Sequence, residues 1–195
     1  MKRIINTLLA SLFLASISPS FATEAWPDSR CKEANIKYNT LQLCADLIKK
    51  VDVSLDSIYL TLGSSTLDSP TKKLFITYAS VDADHNFYTS LRNRKEALKN
   101  TSIQQFFSRV YNKDKSLPNW DKYFLAVSVE GANKSVIYKK GEIIAFSSSN
   151  KNETIMYITH AKHDDYYQIN SFDKPLDVKK MLSRLSFNSW PMTVR

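Results

Sequence analysis

From residue 122 to residue 172 the chain repeats one pattern, and that pattern constrains its fold more than any other feature. Short runs rich in β-branched and aromatic residues cover 122–129, 135–139, 142–147, 154–160 and 165–172. Turn-forming groups separate them, at Gly131-Ala132-Asn133, Lys140-Gly141 and Asn150-Lys151-Asn152. Strand-favouring runs at this spacing are joined as hairpins, so successive strands lie antiparallel. Two more strands precede them. Residues 57–62, SIYLTL, alternate in polarity and end at Gly63. Residues 73–81, KLFITYASV, are again aromatic and β-branched.

Helical spacing occurs between and around these runs. Leu41, Cys44, Leu47, Ile48 and Val51 predict a helix over 40–51, capped by Asn39 or Thr40. Phe87, Leu91 and Leu98 share one face of a second segment. Thr101 reads as the N-cap of a third, with Ile103, Phe106, Phe107 and Val110 as its apolar stripe. From that cap, the strict capping-box position holds Gln104, one short of Gln105. Pro175 opens a last helix carrying Leu176, Val178, Met181, Leu182 and Leu185. The order implies an α+β fold in a single domain. A mostly antiparallel sheet of about five to seven strands is covered by an N-terminal helix, a central helical pair and a C-terminal helix. The domain spans 40–187, with a C-terminal tail over 188–195.

The N-terminus reads as an export signal. Lys2 and Arg3 precede an apolar stretch over 4–17, and Ser20-Phe21-Ala22 offers small residues for cleavage after Ala22. The stretch is short of the roughly 20 apolar residues a membrane span needs. Removal of 22 residues leaves 173 of the 195. Periplasmic or extracellular localisation follows. Cys31 and Cys44, the only cysteines, then read as a disulfide tethering a lead-in over 23–39. A bond of that span stabilises a fold by roughly 3 kcal/mol in the chain-entropy model. Without Lys2 and Arg3 the chain keeps 25 of its 27 basic residues against 19 acidic ones, a net charge of about +6. Such a charge suits an acidic partner. Export makes nucleic acid the wrong one.

Chemistry-bearing residues are few. The segment 160–165, HAKHDD, holds two of the three histidines, and His160, His163 and Asp164 form a candidate metal set. The same residues suit a polar turn between strands. No serine stands in a G-x-S-x-G elbow. Glu130, Glu142 and Glu153 read as solvated strand ends. Arg92, Arg94, Lys95 and Lys99 form a basic cluster able to bind anions. Tyr166, Tyr167 and Trp190 are candidate contact residues, because Tyr and Trp often anchor interfaces. Trp26-Pro27 and Trp190-Pro191 can equally pack the chain ends onto the sheet. Taken together, these features predict an exported, non-enzymatic binding protein without a cofactor. Its partner is another protein or an anionic envelope component. The alternatives are a metal-dependent hydrolase built on 160–165, or a small-ligand carrier with a tyrosine-lined pocket between sheet and helices.

Overall fold

The computed structural model describes residues 22–30, 34–44, 48–54, 57–63, 72–80, 101–117, 119–172, 174–188 and 190. These residues form eleven strands and three helices. The strands are β1 (Ala22–Ala25), β2 (Ile36–Tyr38), β3 (Leu41–Leu43), β4 (Ile48–Val53), β5 (Ser57–Leu62), β6 (Lys72–Ser80), β7 (Lys134–Lys140), β8 (Ile143–Ser149), β9 (Thr154–His160), β10 (His163–Phe172) and β11 (Leu185–Phe187). The helices are α1 (Ile103–Tyr111), α2 (Trp120–Val127) and α3 (Val178–Leu182). A large sheet has the order β1-β7-β8-β9-β10-β6-β5-β4, and a small one the order β11-β3-β2. Neighbours are antiparallel except β1, which runs parallel to β7 and makes the large sheet mixed.

The fold is therefore mostly β, which corrects the α+β expectation and its count of five to seven strands. Among the described residues the expected N-terminal helix is absent, and β3 and β4 stand there instead. Asn39 adopts a left-handed backbone with φ 52°, so Asn39 and Thr40 reverse the chain instead of capping a helix. Tyr38 then pairs with Leu41 across a tight hairpin. Leu41 and Leu43 also stand two apart, and that shorter period is the one the fold uses. The segment expected as a strand over 122–129 is largely helix α2. Tyr123 and Val127, four apart, are its buried residues, while Leu125 between them is 67% exposed. The C-terminal helix is only the five-residue α3, and Leu185 belongs to β11. The helix expected around Phe87–Leu98 lies outside the described residues.

The capping expectation also shifts by one residue. Ser102 is the N-cap of α1, and Gln105 completes a capping box from the required position. The Ser102 hydroxyl accepts the Gln105 backbone N–H at 3.1 Å, and the Gln105 side-chain Oε1 accepts the Ser102 N–H at 2.8 Å.

Two cores sit on opposite faces of the large sheet. On one face, α1 and α2 press Phe106, Phe107, Val110, Tyr111, Tyr123 and Val127 onto Ile137, Phe146, Tyr157 and Tyr166. Phe107 stacks on Tyr157 with ring centres 4.5 Å apart. On the other face, the small sheet and α3 bring Leu41, Leu43, Leu182 and Leu185 onto Tyr138, Met156, Ile158 and Tyr167. The middle of the sheet is thus buried on both sides, giving three layers. Burial reaches its hydroxyls too: Ser148 bonds Tyr111 at 2.9 Å, and Ser149 bonds Thr154 at 2.9 Å.

Candidate functional site: a cleft at the hairpin end

Two neighbouring hairpin turns bring the charged residues together. Gly141 and Glu142 join β7 to β8, and Gly141 takes the left-handed backbone the turn requires, with φ 58°. Ala161 and Lys162 join β9 to β10. Ile143 pairs with His160, so the two turns lie side by side. The Ala161 N–H donates to the Glu142 carbonyl at 3.0 Å. Lys162 Nζ reaches Glu142 Oε1 at 2.8 Å, and that hydrogen bond holds the Glu142 carboxyl below its usual range.

His160 is held in one state. Its Nδ1 accepts the Lys162 N–H at 3.2 Å, and its Nε2 lies 3.5 Å from Glu142 Oε2. An accepting Nδ1 and a proton on Nε2 describe neutral imidazole. Burial, then the nearby His163, push the His160 pKa below 6.5. The two imidazole rings are 4.8 Å apart, and His160 lies over Trp190 at 5.4 Å.

The two aspartates behind the turn serve structure. Asp164 Oδ1 accepts the Ile103 N–H at 2.8 Å, which places a negative charge at the N-terminus of α1. Asp165 is fully buried. Its two oxygens accept from Tyr78 Oη at 2.8 Å and from Trp190 Nε1. Burial, then the bonded Asp165, raise the Tyr78 pKa, so the phenol remains the donor. His160 and His163 are therefore brought together, but Asp164 turns to the helix. Among the described residues, no group of three or more His, Cys, Asp or Glu could hold a metal ion.

The other expected contact residues fall inside. Tyr166 packs under α1 in one core, while Tyr167 and Trp190 are buried in the other. Tyr167 Oη meets Thr40 Oγ1 at 3.1 Å and the Thr40 N–H at 3.3 Å, tying the small sheet to the large one. These three are core residues, a correction to their reading as surface anchors. Arg92, Arg94, Lys95, Lys99 and Cys31 lie outside the described residues, and Cys44 closes β3 with its N–H on the Arg184 carbonyl at 3.0 Å.

What the hairpin end does form is a cleft of 310 Å³ against the small sheet. Its lining is apolar at Trp26, Ile143, Leu185 and Phe187, and polar at Lys140, Glu142, His160 and Ser186. Trp26 is fixed there by donating its indole N–H to the Leu182 carbonyl at 3.1 Å. Sequence reasoning passed over Lys140 and Glu142 as ordinary turn residues. The hairpin spacing could have revealed them, because a tight 142–147/154–160 hairpin register sets Ile143 beside His160. A second cleft of 550 Å³ lies between α2 and the β1–β7 edge, where Trp120, Phe124 and Val136 meet Lys113 and Lys134. Among the described residues, no tyrosine lines either cleft.

No family model, curated protein or solved structure matches this chain. Among the described residues, no helix is long and apolar enough to cross a membrane.

Proposed function

We propose that this chain is an exported, non-enzymatic binding protein that docks a macromolecular partner at the 310 Å³ cleft. One observation carries the reading: apolar Trp26, Ile143, Leu185 and Phe187 line one cleft together with the charged or polar Lys140, Glu142 and His160. Apolar surface bordered by polar groups is the composition of a protein interface. The apolar lining suits an apolar or aromatic side chain inserted by the partner. Glu142, the acidic residue that lines the cleft, is engaged already by Lys162. The basic balance of the chain suits a protein partner with an acidic surface, or an anionic envelope component. Export and a Cys31–Cys44 disulfide belong to the same proposal. The signal-like N-terminus and the even pair of cysteines support both.

A photo-crosslinking amino acid at position 140, an exposed position lining the cleft, tests this in cells that make the protein. The expected result is a discrete protein adduct at 140 and none from position 125, which is exposed on α2. No adduct at 140, or the same adduct at both positions, contradicts the proposal. A second reading, a small-ligand carrier, draws on the 550 Å³ cleft and its Trp120 and Phe124 walls. It requires a small molecule that co-purifies with the chain and is lost on Phe124→Ala.

A further inference from the structure

The large sheet ends in two different edges. β1 is fastened: Glu24 pairs with Lys179 at 2.6 Å, and the Trp26 N–H donates to the Lys139 carbonyl at 3.0 Å. Among the described residues β4 ends the other side, and all six of its residues are exposed, Val53 at 68% and Val51 at 43%. Edge strands of this kind template further pairing unless they are guarded. The irregularity that would guard this one is confined to Ile48–Lys50, leaving Val51, Asp52 and Val53 in regular register.

The hairpin fixes which groups face outward. The Ser54 N–H donates to the Ser57 carbonyl at 2.9 Å, so 54 and 57 are a hydrogen-bonded pair. Antiparallel pairs alternate between bonded and non-bonded. Asp52 with Tyr59 is thus bonded, while Val51 with Leu60 and Val53 with Ile58 are not. The N–H and C=O groups of Val51 and Val53 therefore point to the open edge.

We propose that β4 pairs antiparallel with β4 of a second copy, about a two-fold axis through Val51. In that register Val51 faces Val51 of the second copy as a bonded pair. Lys50 faces Asp52 of the second copy, and Asp52 faces its Lys50, as non-bonded pairs, the kind in which side chains come closest. Lys50 and Asp52 already share one face of the strand, where they pair within the chain at 2.8 Å. Val51 lies on the opposite face with Leu60, so its contact extends the apolar side of the sheet. Charge selects this register. Moving the axis to Asp52 sets two aspartates against each other, and moving it to Lys50 sets two lysines together. The same strand thus supplies both halves of an isologous contact.

Sedimentation velocity over a concentration series tests the proposal on the chain as its own cells make it. The expected result is a monomer–dimer equilibrium. Asp52→Lys puts like charges in both symmetric pairs and should weaken the dimer about tenfold. Lys50→Asp should do the same, and the double exchange Lys50→Asp with Asp52→Lys should restore the dimer. Circular dichroism of each variant separates loss of pairing from loss of fold, which an exposed strand makes easy to preserve. A chain that stays monomeric at every concentration overturns the proposal. So does a dimer that the single variants leave unchanged, or one that the double exchange fails to restore.

Discussion

The two halves of the large sheet are built differently. In β7 through β10 both faces are covered, by α1 and α2 on one side and by the small sheet with α3 on the other. In β6, β5 and β4 alternation returns: Ile58, Leu60, Leu74 and Ile76 are buried, their neighbours only partly so, and β4 is exposed throughout. The covered half fixes the frame, and its aromatic and hydroxyl side chains interlock across three layers. The open half ends in a strand whose side chains carry little of the fold. Stability should therefore concentrate in the first half and self-association in the second, while the partner cleft lies at the hairpin end of the covered half.

The comparison is broken most severely from inside the covered half. Phe107→Ala removes a fully buried ring stacked on Tyr157 and should cost about 3–5 kcal/mol in urea unfolding. Next comes Asp165→Ala, which leaves the half-buried Tyr78 and buried Trp190 donors without their acceptor. It should cost on the order of 2–3 kcal/mol by the same measurement. Ser102→Ala opens the capping box of α1 and should cost about 1 kcal/mol. On the open half, Val53→Ser should stay within about 0.5 kcal/mol. A large loss there would erase the distinction between the halves.

A pH series sharpens it further. The His160 pKa is depressed below 6.5 by burial and by His163. Below 6.5 the unfolded chain takes up a proton that the folded chain resists. The contribution is therefore present in full above 6.5 and is lost as pH falls through the lower folded value. His160→Phe should flatten that part of the stability profile. At the far edge of α1, Asp114 is lowered to about 2 from 3.8, chiefly by hydrogen bonds from Ser116 and Arg109. Its contribution is present above 3.8 and fades as pH falls toward 2.

Much of the covered half was legible in the sequence, because its signals are local. The strand runs near 135–139, 142–147, 154–160 and 165–172 were marked by turn residues, and the stripe of α1 by Ile103, Phe106, Phe107 and Val110. HAKHDD was readable as a hairpin turn, and His160, Ala161, Lys162 and His163 form one. Other elements were ambiguous at short range. Leu41-Gln42-Leu43 satisfies a strand period inside a longer helical one, and only the Asn39 turn and the partner β11 decide it. Tyr123, Leu125, Val127 and Val129 alternate like a strand, yet the packing of α2 on α1 selects the four-residue spacing instead. The cleft was the least visible feature. Trp26, Lys140, His160 and Phe187 are distant in sequence, and only the layering of two sheets gathers them.

The measurement that most directly tests this account is a native mass spectrum of the chain isolated from its own source, beside its Lys140→Trp variant. The tryptophan would fill the cleft from an exposed position that lines it. The account predicts that the unaltered chain flies with a second macromolecule of different mass, and that the variant keeps its fold but flies without it. A partner retained by Lys140→Trp, or an unaltered chain that carries none, would contradict the claim that this cleft is where the protein works.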